Sequence, residues 1–129
     1  MDPVKVLQRA YQDERPEALR AEGAPQGGPY PHVRALLLEV ARRERAHAEA
    51  LAEALRRRGA PLPPTPKPEE GGWETLLRLL SEEGLDRAYY LESTFPDPEL
   101  EALFTRLGQE ERLNQEAVRK AVMLIGGGL

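Results

Sequence analysis

The chain has 129 residues, no cysteine, an aromatic content of 5% and a formal charge of −4 spread over intermixed Arg and Glu. That length forms one domain around one core, and the missing cysteines exclude disulfides, thiolate metal sites, cysteine nucleophiles and iron–sulfur centres within the chain. Mixed charge gives no surface dedicated to nucleic acid, and no apolar run nears the ~20 residues of a membrane span, so a cytoplasmic protein with neither partner is expected.

Leu, Ala, Glu and Arg dominate and Ile125 is the sole isoleucine, which makes helix the default. The first helical segment spans about residues 3–22, with Asp2 as N-cap, Pro3 in the first turn, and Val4, Leu7, Ala10, Tyr11, Ala18 and Leu19 at helical spacing. Pro16 lies inside it and cannot donate to Gln12, so a kink or local unwinding over 13–15 is expected. Gly27, Gly28 and Pro29 mark a turn. The second segment spans about 31–58 and ends on an arginine cluster followed by Gly59, as a helix C-terminus favours.

Pro61, Pro63, Pro64, Pro66 and Pro68 follow within the connection 59–71 and impose an extended polyproline conformation. About 12 such residues at ~3.1 Å each reach ~37 Å, close to the ~40 Å length of the second helix. The connection is therefore long enough to cross a whole bundle, or to serve as a flexible link between two separate hairpins. The third segment spans about 72–93 and the fourth about 97–125, the latter capped by Asp97 with Pro98 in its first turn. Fraying is expected from Gly126 to Leu129. Short turns within each pair and a long crossover between them describe an all-α, four-helix bundle in one domain over residues 1–129, built from two stacked antiparallel pairs.

The seam that these helices turn inward is interrupted by charge. On the second segment it runs Val33, Leu37, Val40, Glu44, His47, Leu51, Ala54; on the fourth, Leu100, Leu103, Leu107, Glu111, Asn114, Val118, Ile125. A shift of 67 residues lays 40–55 over 107–122, placing Glu44 on Glu111 and His47 on Asn114, so the two halves read as repeats of one helix pair. Glu14 lies in the direction of Leu7 and Tyr11, and Glu83 beside Leu76, Leu80 and Tyr90. Four buried glutamates cannot remain ionised without a countercharge, and two divalent cations would neutralise them. Glu-x-x-His puts a carboxylate and an imidazole on one helix face, and mixed oxygen and nitrogen donors favour iron or manganese. Plainer readings stand beside this one. Glu-x-x-His arises by chance in Glu-rich helices, Glu14 can be solvated, and Glu83 can pair with Arg87. Tyr11 and Tyr90 read as core aromatics with hydroxyls at the rim, and His32 as exposed.

The run from Ala88 through Tyr89, Tyr90 and Phe95-Pro96-Asp97-Pro98 to Glu111-Arg112-Leu113-Asn114 resembles the third helix, turn and fourth helix of the rubrerythrin branch of the ferritin-like superfamily. Tyr11-Gln12-Asp13-Glu14 and Glu44-Arg45-Ala46-His47 are similar to that family's first ligand glutamate and first Glu-x-x-His. The resemblance implies a ferritin-like fold and two iron or manganese ions held by Glu14, Glu44, His47, Glu83 and Glu111. It implies an oxidase, peroxidase or iron-oxidising activity fed by an external electron donor, and a homodimer. Asn114 stands where the family has a second histidine, which leaves the second ion under-coordinated, exchangeable or absent; Asp86 occupies the place of an additional carboxylate. The alternative is a degenerate bundle without a complete metal site, dimerising or binding a partner, in which Glu44 pairs with Arg43 or Arg112 and His47 hydrogen-bonds across the core.

Overall fold

In a computed structural model the described residues are 2–23, 31–65, 89–90, 93 and 95–127, with side chains described except at 15–23 and 125–127. Among them the protein is all-helical: α1 is Pro3–Gly23, α2 is Pro31–Arg57 and α3, the fourth segment of the sequence reading, is Pro98–Gly127. Gly23, expected to open a turn over 23–30, belongs to α1; the rest of that turn and most of the third expected helix lie outside the described residues, although Tyr89 and Tyr90 are helical.

The caps form as the sequence dictates. Asp2 Oδ1 accepts from the Val4 amide at 3.0 Å and Asp97 Oδ1 from the Glu99 amide at 2.9 Å, each satisfying a donor that the first turn leaves unpaired. At the end of α2 the Ala60 amide reaches back to the Leu55 carbonyl and the Gly59 amide to that of Arg56, both at 3.0 Å. Gly59 sits at φ +65°, the left-handed conformation this C-cap needs. Two expectations are corrected. α1 is helical through Pro16, so of the kink or unwinding expected there the unwinding does not occur, because a proline removes one rung of the ladder and the turns on either side keep theirs. Gly126 and Gly127, expected to fray, belong to α3.

α2 packs against both α1 and α3. Leu7 of α1 lies in one cluster with Leu51 and Leu55, while Glu14 lies beside His47, so α1 and α2 are antiparallel. On the other side Leu51 and Leu55 cluster with Leu100 and Leu107, His47 faces Glu111, Glu44 faces Asn114, and Leu37 and Val40 pack with Val118 and Ala121. α3 therefore also runs antiparallel to α2, and Arg58 Nη2 ties the α2 end to Asp97 Oδ2 at 2.7 Å. In a simple up-down-up-down bundle the fourth helix would run parallel to the second.

The proline segment leaves α2 beside the start of α1 and follows it. Gln8 Nε2 donates to the Pro61 carbonyl at 3.1 Å and Gln12 Nε2 to that of Pro64 at 3.2 Å, so the chain travels in the direction of α1, back along the helices. The rest of the expected crossover, 66–71, lies outside the described residues.

The core falls into two apolar clusters. One joins Val33, Leu37, Val40 and Ala41 to Ala117, Val118 and Ala121. The other joins Leu7, Leu51 and Leu55 to Tyr90, Phe95, Leu100, Phe104 and Leu107. Phe104 takes a fully buried place, and Leu103, placed on the seam by the sequence pattern, is only partly buried beside it. The Phe104 ring meets Phe95 edge-on at 4.7 Å and Tyr90 at 5.1 Å. Truncation by Phe104→Ala is expected to destabilise the chain by about 3–5 kcal/mol in a denaturant melt. Leu38→Ala, at an exposed site on α2, should shift it by less than about 0.5 kcal/mol.

A candidate metal centre between the two clusters

A layer of polar side chains separates the two apolar clusters. Glu14, Glu44, Glu111 and Asn114 are 0% exposed and His47 1%, a degree of burial that ionisable side chains almost never reach unpaired. α1 contributes Glu14, one helical repeat beyond Leu7. α2 contributes Glu44 and His47, one turn apart on the same face, and α3 contributes Glu111 and Asn114 in the same relation. Each sits at the seam position that would otherwise carry an aliphatic residue. Burying the neighbouring turns on both sides therefore carries these groups inward.

One donor atom from each of Glu14, Glu44, His47 and Glu111 lies within 4.8 Å of all the others. His47 Nδ1 is 3.0 Å from Glu111 Oε1 and 3.6 Å from Glu14 Oε1, so this nitrogen faces the carboxylates. Tyr90 donates its hydroxyl to Glu14 Oε1 at 2.5 Å, and the Asn114 amide nitrogen donates to Glu44 Oε1. Glu14 Oε2 and Glu44 Oε2 are buried with no hydrogen-bond partner. An ionised oxygen left so is costly in a dry interior.

Electrostatics follow from the burial. Burial first, and then the charge of Glu111, push the Glu14 carboxyl well above its usual range; His47 acts in the opposite sense and does not offset them. For His47, burial alone would lower the pKa, but hydrogen bonds to Glu111 and Glu14 and their charges outweigh it and raise the imidazole to about 10. Without a cation, the layer holds itself together with protons.

Of the residues expected to ligate, the structure brings Glu14, Glu44, His47 and Glu111 together, with Asn114 in the same layer; Glu83 and Asp86 lie outside the described residues. Two participants escaped the sequence reading. Glu110 Oε2 sits 2.6 Å from His47 Nε2, on the side of the ring away from the cluster. The carboxylate fixes the imidazole's orientation and leaves Nδ1 pointing inward, the usual arrangement around a ligating histidine. Arg43 donates from Nη1 to Asn114 Oδ1 at 2.7 Å and from Nη2 to Glu39 at 2.6 Å. The pairing of Glu44 with Arg43 or Arg112 is thereby corrected: Glu44 is served by Asn114, while Arg112 lies on the surface 3.8 Å from Glu116. Both Arg43 and Glu110 directly precede a seam position, and that adjacency was the available signal. His32 is exposed, as expected.

No family model, curated protein or solved structure matches the chain.

Because Glu14 and His47 both bind protons more tightly in the folded chain than in the unfolded one, the metal-free protein must lose stability as pH rises. The Glu14 contribution starts to fall just above the ordinary value of 4.5, and that of His47 is complete below 6.5 and lost as pH rises through about 10. Thermal melts of chelator-treated protein are expected to show Tm declining from about pH 6 to about pH 9, with a shallower slope in His47→Gln. A flat or rising profile would contradict the buried, proton-bound cluster.

Proposed function

We propose that this chain is a rubrerythrin-like protein of the ferritin-like superfamily, a four-helix bundle that binds iron or manganese through Glu14, Glu44, His47 and Glu111. The observation that carries the reading is the pair of partnerless buried oxygens, Glu14 Oε2 and Glu44 Oε2, in a layer whose four donor residues come within 4.8 Å of one another. Metal–ligand bonds of about 2.0–2.2 Å set opposite ligands about 4 Å apart, so small side-chain rotations would close the cluster around an ion. Carboxylate oxygens with one imidazole nitrogen suit iron or manganese better than a structural zinc.

The bundle itself is supported by direction and repetition. α3 antiparallel to α2, and a proline segment returning along α1, are what two helix pairs joined by a crossover require. The contact of Glu44 with Asn114 and that of His47 with Glu111 are the same contact under the 67-residue repeat.

A bound ion here would supply redox chemistry toward dioxygen or peroxide, the electrons coming either from an external donor, because the chain holds no cysteine for a second centre, or from Fe(II) as the species oxidised. The protein's own part is to orient His47 through Glu110, to position Glu14 through Tyr90, and to exclude water with the apolar clusters on either side. A second reading is favoured by His47 itself. Carrying two protons and touching Glu111 and Glu110, the imidazolium would itself supply positive charge to the layer, in a bundle that dimerises or binds a partner without metal.

The two readings part on loading. Purified protein incubated anaerobically with Fe(II) or with Mn(II) is expected to retain metal by elemental analysis, and its Tm should rise by an amount that grows with pH as metal displaces protons. Glu44→Ala and His47→Ala should abolish retention, whereas Glu116→Ala, on the exposed face of α3, should not. Equal retention by all three variants, or none by wild type, would leave the imidazolium network as the better account.

A further inference from the structure

The repeat relates not only the inner residues but their supports. Shifting by 67 residues lays Arg43 over Glu110 just as it lays His47 over Asn114. In one half Glu110 stands behind His47 at 2.6 Å; in the other Arg43 stands behind Asn114 at 2.7 Å. An anion backing an imidazole has become a cation backing an amide.

That exchange fixes which way the amide points. Arginine offers only donors and an ionised carboxylate only acceptors, so Asn114 must give its oxygen to Arg43 and its NH2 to Glu44. The reverse orientation would set donor against donor and acceptor against acceptor. An amide ligates metal through its oxygen, since its nitrogen has no lone pair to give. The one ligating atom of Asn114 is turned out of the layer and held by a guanidinium that is always protonated. Glu39, 2.6 Å from Arg43 Nη2, pairs the guanidinium and holds it in place behind Asn114. His47 does the opposite, presenting Nδ1 inward with an anion behind it.

We infer that the centre is asymmetric: among the described residues it offers ligands for a single divalent ion, on the Glu14 and His47 side, while Arg43 and Asn114 withhold the ligand that the repeat would otherwise supply to a second. Glu44 Oε1 is held by Asn114 while its Oε2 is left over. One Glu44 oxygen therefore accepts from Asn114 and the other remains for an ion. The inference rests on the metal-binding reading above and deepens it.

The test is a count of ions. Wild-type protein titrated anaerobically with Mn(II) is expected to saturate at one ion per chain and to give the electron paramagnetic resonance spectrum of an isolated ion. The double variant Arg43→Glu with Asn114→His restores on the second side the pairing found on the first, and is expected to saturate at two ions with exchange coupling between them. Two ions bound by wild type would overturn the asymmetry and leave metal binding intact; none would remove the reading beneath it. A double variant that folds by circular dichroism yet still takes one ion would overturn the role given to Arg43 and Asn114. Should that variant fail to fold, the wild-type count still decides.

Discussion

Three carboxylates enclosed between two apolar clusters, with one imidazole among them, are the constraint around which the rest of this protein is organised. Each would cost several kcal/mol if buried charged and alone, so the layer must acquire positive charge from somewhere. Protons supply it when nothing else does, which is why Glu14 and His47 both titrate high. A divalent ion would supply it more effectively, because it could engage the oxygens that no described protein donor reaches. Binding and stability would then be coupled through the same few atoms.

The scaffold's contribution is registration. Helix α2 lies between α1 and α3, and because it runs antiparallel to both, the same two positions on it, 44 and 47, meet partners from either side at one depth. The caps at Asp2, Gly59 and Asp97 fix where each helix starts or stops, and the Arg58–Asp97 pair fixes one end of α2 against the start of α3. A slip of one residue along either interface would carry a carboxylate round toward the surface, and packing on both sides of the layer opposes it.

Much of this was legible in the amino-acid order because the polar interruptions stand out against aliphatic seams. Glu44, His47, Glu111 and Asn114 could be singled out by helical period alone, and the repeat that links them needed only a shift of the sequence against itself. Glu110 and Arg43 were not legible in the same way. They occupy positions beside the seam, where charged residues are ordinary, and only the facing helix shows that one reaches an imidazole and the other an amide. Phe104 displaced Leu103 from the full depth of the core for a related reason: neighbouring positions on a helix both border the seam, and the aromatic partners Phe95 and Tyr90 decide which one goes inside. The continuity of α1 through Pro16 shows a local breaker overridden by the turns around it.

The extended segment beside α1 bears on how the molecule behaves in a crowd. A stretch of backbone in open conformation is ordinarily a place where another chain can add on, lining up its own amides and carbonyls against the free edge. Here Pro61, Pro63 and Pro64 have no amide to offer, and the Pro61 and Pro64 carbonyls are already taken by the side chains of Gln8 and Gln12. Between residues 61 and 64 only Leu62 keeps an amide, so a sheet-forming neighbour would meet an interrupted ladder, and the stretch is a poor seed for aggregation.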